Sequence, residues 1–312
     1  MSRIVAGLVL RAVVVLTGVA LATFALLWHA PGDPALSIAE ARYGMVVSKE
    51  VLEIIRAEAG FDTGFWTAFW AWLAPLLMGD FGQSSVTGRE VWPDMVTAMS
   101  YTFPLALVSL AIGLAIAVPL ALIATRKPGS WLDRGAVALA SIGVAIPAFW
   151  LGLLLILLFA VQLGWLPAMG AQTPAHSILP ALTLALGVAA SLTRIIRSGI
   201  LEARTQPFLP AFGRRGIARG DIARDHVAPH AAIPVVTVLG LELAFLLEGL
   251  VVVEVIFARP GLGSFLVSAI FARDFPKVQA VVIVAAVVFV TVNLLIDLIY
   301  RGLDPRMGAR DA

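Results

Sequence analysis

The chain is 312 residues long, 60% hydrophobic and only 13% charged, with a formal net charge of +2 and no cysteine. A soluble domain is typically about 45–50% apolar and about 25% charged, so this shortage of charge marks an integral membrane protein. The near-balanced charge argues against a nucleic-acid partner, and the missing cysteines exclude disulfides, thiolate metal sites and cysteine nucleophiles.

The first predicted element is a membrane span over residues 4–28, flanked by Arg3 and interrupted early by Arg11. About 20 apolar residues cross a bilayer core, and an arginine near one end can reach the interface. Ala20-Leu21-Ala22 has the small-x-small form of a leader cleavage site, but the apolar run continues past it, which favours a retained span. Residues 31–98 are more polar. HAPGDP at 29–34 places two prolines around a Gly-Asp turn and stops the first helix. Ser48-Lys49-Glu50 opens a helical pattern that Gly60 ends. Residues 65–78, rich in Trp and Phe, contain Pro75 and are too short to span, so an interfacial helix is expected there.

Five further spans are predicted over residues 101–124, 135–163, 178–192, 231–256 and 278–300, giving six in all. The fold class is therefore an all-α integral membrane protein in three parts: helix 1 over 1–30, an outer segment over 31–98 and a membrane core over 99–312. With both termini inside, the inner loops collect Arg3, Arg126, Lys127, Arg134, Arg301, Arg306, Arg310 and the arginines of the loop between spans four and five. That is the Lys/Arg excess expected of cytoplasmic loops.

The loop at about 200–230 is the most distinctive stretch. With its flanks it holds Arg194, Arg197, Arg204, Arg214, Arg215, Arg219 and Arg224 against Glu202, Asp221 and Asp225. Pro207 and Pro210 break the helix arriving from the fourth span, and Gly213 and Gly216 permit a tight turn. Residues 217–225 can form a short helix, after which Pro229 and Pro234 restart the chain into the fifth span. By composition alone this is either a docking knob or a solvated loop carrying positive-inside charge.

Catalytic signatures are missing. No Gly-rich phosphate loop ending in Lys-Ser/Thr occurs, and Gly261-Leu262-Gly263 reads as a turn because Leu266 fills the third glycine position of a dinucleotide fingerprint. His226 and His230 have zinc-helix spacing, but the accompanying acid is absent and Pro229 intervenes, which favours structural roles. Acids within spans carry more information, because ionisable groups at membrane depth are costly and tend to face a water-filled path or a partner. Glu242 and Glu248 are the candidates for a translocation path, whereas Glu254 and Asp297, nearer the helix ends, suggest solvation or helix pairing.

A series of motifs spans nearly the whole chain: HAPGDPAL (29–36), GDFGQSSVTGREV (79–91), GSWLDR (129–134), IPAFWLGLLLILLFAVQLGWLPAMG (146–170), ILPALTLAL (178–186), IPVVTVLGLEL (233–243), VVVEVIFARPGLG (251–263), ARDFPKVQ (272–279) and NLLIDLIYRGLDPRM (293–307). In order and spacing it resembles the permease subunits of ABC importers of the dipeptide/oligopeptide/nickel family. The resemblance implies a type I importer fold with a cytoplasmic loop whose coupling helix docks in a cleft of an ATPase subunit. That loop pattern has a Gly followed thirteen residues later by a Pro, matched by Gly216 and Pro229. His226 and Pro234 match the subfamily version, while Pro210, Phe212, Gly213 and Asp225 depart from it.

By resemblance, then, the ATPase-coupling residues are Phe212, Arg215, Gly216, Ile217, Asp221, His226 and Pro229. The outer segments, with Asp33, Asp80, Arg259, Arg273 and Asp274, would receive an extracytoplasmic substrate-binding protein. The expected assembly pairs this chain with a second homologous permease and two ATPase subunits, which bind ATP and Mg; no cofactor or metal is expected in this chain, and no catalysis. The expected site is the bacterial inner membrane, with peptides as cargo and nickel or a metal chelate as the alternative. A secondary transporter would show internal repeats or acids paired across spans, and a membrane protease a nucleophile and base at depth. A thiol probe placed at position 84 should be reached from outside and one at 218 only from inside.

Overall fold

The computed structural model describes residues 2–30, 32–43, 47–58 and 63–303. Gly60, expected to end a helix, and Arg306 and Arg310, expected on the inner side, lie outside them. The chain forms two compact units, Met1–Thr102 with Pro260–Val290, and Phe103–Arg259 with Thr291–Ala312. Among the described residues the regular structure is helical, apart from an isolated antiparallel bridge between Gln83 and Glu90. Five helices are long and apolar enough to cross a membrane, and a sixth candidate is a bent pair.

In the first unit, α1 (Ser2–Trp28) meets α4 (Phe65–Leu77) through an aromatic cluster. Phe24 stacks on Trp72 with centroids 5.5 Å apart and meets Phe69 edge-on at 5.4 Å. These offset and T-shaped contacts are the favoured geometries of aromatic quadrupoles. The turn after α1 leads directly into α2 (Pro34–Tyr43), a helix not read from the sequence. Its signals were present: Pro34 occupies the first helical position, and the Asp33 carboxylate accepts the Ala35 amide at 3.0 Å, an N-cap. Asp33 also pairs with Arg56 of α3 (Lys49–Glu58) at 2.6 Å. Later in the chain, Gly261 is the N-cap of α12 (Leu262–Phe271), so Gly261-Leu262-Gly263 begins a helix and is not the turn expected. The Thr102 hydroxyl oxygen accepts the Leu262 amide at 2.8 Å, which satisfies a first-turn donor. Helix α13 (Phe275–Leu303) follows.

The second unit is organised on α8 (Ile178–Arg204), which lies along α11 (Ala228–Ile256) and carries the buried residues Leu184, Val188, Leu192, Ile196 and Ile200. Helix α5 (Val91–Arg126) is unbroken despite Pro104 and Pro119. The third predicted span, 135–163, is bent. It is two helices, α6 (Trp131–Ala145) and α7 (Ala148–Leu155), the latter continuing in wider turns to Gln162, with a bend of 100° between them. The break falls at Ile146, which precedes Pro147 and takes an extended conformation (φ −80°, ψ 122°), as pre-proline residues prefer.

Candidate functional site

Helix α8 ends at Arg204, and the connection to α11 is built from α9 (Leu209–Arg214) and α10 (Arg219–Ile222). Pro210 sits in the first turn of α9, where its missing N–H costs nothing. The end of α9 is closed by two reverse bonds, Ile217 N–H to Phe212 C=O at 3.2 Å and Gly216 N–H to Gly213 C=O at 3.1 Å. Those are the paired bonds of a Schellman cap, which requires a left-handed residue after the helix, and Gly216 supplies it with φ +75°. Of the two glycines expected to turn the chain, Gly216 does so, whereas Gly213 is helical.

The expected restart at Pro229 and Pro234 does not occur. Helix α10 runs into α11 through one wide turn, Ala223–Val227, in which the Ala228 amide bonds Ala223 C=O five residues back. A π-type turn spreads the backbone just where the Pro229 ring would collide with a carbonyl four residues earlier, so the helix survives the proline. Pro234 lies inside α11.

The loop has an anchored side and a presented side. Leu209 and Ile222 pack on the core of the second unit and Val227 is buried within it. Facing away, Arg214, Arg215, Gly216, Ile217, Ala218, Arg219, Gly220 and Asp221 are all exposed. Between the two sides the rings of Phe212 and His226 stack, 4.1 Å apart and 7° from parallel, and Phe208 lies 5.3 Å from the His230 ring. His230 Nδ1 in turn lies 2.8 Å from the His226 carbonyl oxygen. Phe212 and His226 therefore fasten α9 to the turn before α11, while Arg215, Gly216, Ile217 and Asp221 form the outward tip; Pro229 is exposed at the start of α11. Arg224 bridges Asp225 at 2.8 Å and Asp221 at 3.7 Å, exposed pairs of the kind that contribute little to stability.

Two arginines of α8 brace the base of this loop. The Arg197 guanidinium grips the buried Asp133 carboxylate in a fork, Nε–Oδ1 2.5 Å and Nη2–Oδ2 2.8 Å, and Asp133 Oδ2 also accepts the Gly129 amide at 2.8 Å. Arg204 donates to the Thr125 carbonyl at the end of α5. At Gly199 the helices approach so closely that a Cβ would lie 3.1 Å from the Ala231 carbonyl oxygen and 3.2 Å from the Pro234 ring. The sequence reading missed the Asp133–Arg197 fork because Arg197 looked like one more inner charge. The available signal was an acid three residues after the Ser130 N-cap, at the head of an apolar helix.

The path acids separate. Glu242 is buried at 8% exposure, Glu254 is fully buried, and Glu248 is exposed. The solvation considered for Glu254 is thus overturned, since packing removes it from water. Asp297 is half-buried. Among the residues expected to receive a binding protein, Asp80 is exposed and accepts the Gly82 amide at 2.8 Å, and the exposed Arg273 lays its guanidinium against Gly32. Asp274 is buried. At 1% exposure it accepts the Ser84 hydroxyl (2.5 Å) and the Ser85 amide (3.0 Å) and pairs with Lys277 (3.4 Å), so it holds the 84–90 turn from beneath. Arg259 is also buried, at 5% exposure, and donates to the His176 carbonyl at 3.2 Å.

Residues 117–309 match the family described as binding-protein-dependent transport system inner membrane component, and residues 1–106 match its N-terminal companion. The chain belongs to that family. It is the permease subunit of a bacterial, binding-protein-dependent ABC importer. The permease is 35% identical to the glutathione transport system permease protein GsiC of Escherichia coli (strain K12) over 275 residues, 88% of this chain and 89% of that protein. It is 36% identical to GsiC of Pectobacterium atrosepticum over the same length, and 35% identical to that of Salmonella choleraesuis over 287 residues, 92% of each chain. Among solved structures the permease resembles, in fold, an inward-facing form of the MetNI methionine ABC transporter, with a TM-score of 0.55 at 22% identity over 67% of this chain and 96% of that one. An amino acid ABC transporter gives 0.53 at 21% identity over 67% and 94%. Both likenesses support the all-helical type I importer fold. The relatives are transport components and not enzymes, and a binding-protein-dependent importer implies ATPase and binding-protein partners.

Proposed function

We propose that this permease carries peptides, as one of two homologous permease subunits joined to two ATPase subunits that bind ATP and Mg. The observation that supports the substrate class is its nearly full-length similarity to permeases named for glutathione, itself a peptide. ATP-driven closure of the ATPases moves the exposed tip around Gly216, and the stacked Phe212–His226 pair with the packed Leu209, Ile222 and Val227 passes that movement to α11. The spans then exchange inward- and outward-facing arrangements, a two-state element biased from both ends. Asp33, Asp80 and Arg273 contribute to the surface that receives the binding protein, with Asp274 supporting it from within.

Purification of the tagged permease in mild detergent, with mass spectrometry of its companions and ATPase assays, tests this reading. Two ATPases and a second permease should co-purify, and hydrolysis should rise when a peptide-loaded binding protein is added. A chain that carries no ATPase under several mild conditions would overturn the assembly; stimulation by a nickel-loaded protein alone would overturn the cargo.

In this reading both termini are cytoplasmic, and thiol labelling tests it with positions chosen from the structure. Thr87→Cys, exposed on the outer turn, should react with an impermeant reagent from outside, and Ala218→Cys only after the inner face is opened. The expectation for position 84 changes, because Ser84 is 1% exposed and hydrogen-bonded to Asp274; Ser84→Cys should stay unlabelled in the folded protein. Exchange of the sidedness of the Thr87 and Ala218 labels would refute the orientation.

A further inference from the structure

The second unit contains a cavity of about 130 Å³ at the elbow between α6 and α7, closed by α8 and α11. One water takes up roughly 30 Å³ in the liquid, so the space holds a small hydrated group. Gly143, Gly187 and Gly249 are among its walls, and Thr183, Glu242 and Phe245 line it as well. Glu242 is its single ionisable lining residue, a carboxylate 92% withdrawn from solvent with the Ser191 hydroxyl as hydrogen-bond partner. Thr183 Oγ1 spends its proton on the Leu179 carbonyl at 2.8 Å, so toward the cavity it can only accept. The Phe245 side chain, 56% exposed, forms part of the rim.

A carboxylate buried with one neutral donor is unbalanced, because removing a charge from water is strongly unfavourable unless it is paired. The donor set decides which cation would balance it. Calcium takes 6–8 oxygens and magnesium an octahedron, whereas among the described residues no cluster of three metal-ligating acids or histidines exists. A primary ammonium has three N–H donors, which suit a carboxylate and a hydroxyl lone pair, and its charge is attracted to an aromatic face.

We propose that Glu242, Thr183 and Phe245 form a waypoint for the protonated amino group of the transported compound. This rests on the peptide reading above, since a peptide brings a free amino terminus. The site takes the amino group alone and leaves the remainder of the peptide at the open side of the cavity.

The test is uptake by the complete transporter in proteoliposomes, with the same binding protein throughout, comparing a dipeptide with its N-acetylated form. Because the binding protein is unchanged, any shift in the ratio of the two rates belongs to the permease. Glu242→Gln should cut the preference for the free amine by about tenfold, the loss expected when a charged hydrogen-bond partner is removed, with Glu242→Asp restoring part of it. Thr183→Val should reduce the same ratio less, and keeps the proposal testable if the Glu242 variants fail to assemble. An unchanged ratio in assembled Glu242→Gln, or in Thr183→Val if it alone assembles, overturns the waypoint while peptide transport stands. If the unaltered transporter moves neither dipeptide, the substrate reading falls and the waypoint with it.

Discussion

Gly216→Val is expected to reduce uptake by at least about tenfold while the permease still reaches the membrane in normal amount, since forcing an L-residue into the left-handed region costs about 1–2 kcal/mol and more for a β-branched one. The position has open space, with no atom within 4 Å of an added Cβ, so the effect is not a clash. It is the backbone, held at φ +75° by the two reverse bonds that close α9. Losing them frees the tip Arg215–Ile217 from its fixed relation to the Phe212–His226 stack, and a loose tip cannot transmit a push. The conformational origin makes a graded series informative: Gly216→Asn, whose side chain tolerates left-handed backbone, should retain most uptake, with Gly216→Ala between. Uptake normalised to membrane content is the measurement. Wild-type rates for Gly216→Val would remove the tip from the coupling route.

Asp133→Ala is expected to destabilise the permease by about 1–3 kcal/mol, the loss typical of removing a charged hydrogen-bond partner, since the Arg197 side chain left behind is 25% exposed. Asp133 is 2% exposed and satisfies both a guanidinium fork and the Gly129 amide, so its deletion strands Arg197 and an amide together. Arg197→Lys should cost less yet be measurable, because an ammonium cannot reproduce the two parallel bonds. The double variant Asp133→Leu with Arg197→Leu should recover much of the loss, as apolar replacement of buried pairs commonly does. Thermal inactivation in detergent reports all three. Equal melting of Asp133→Ala and wild type would show that the fork is not a brace.

The loop between α8 and α11 was legible in outline and not in detail. Its basic composition and its glycine turn could be read directly, because charge and glycine act locally, and the Gly216–Pro229 spacing through the family resemblance. The opposed roles of its residues could not. Phe212 and His226 are fourteen positions apart and meet only when α9 folds back. Asp274 shows the same limit: an acid in a polar outer segment reads as surface until Ser84 and Lys277 are found packed around it.

The prolines divide most clearly what each level decides. The hydrophobic runs alone determined that this is a helical membrane protein and where most of its spans lie, since only a helix satisfies its own backbone across a bilayer. They could not say which proline bends a span. Pro104, Pro119 and Pro234 sit inside continuous helices, Pro229 is accommodated by a wide turn, and Pro147 folds its span by 100°. The local chemistry is the same in each case. The outcome depends on whether neighbouring turns and helices re-satisfy the freed carbonyls and what space lies beside the ring, and those are properties of packing.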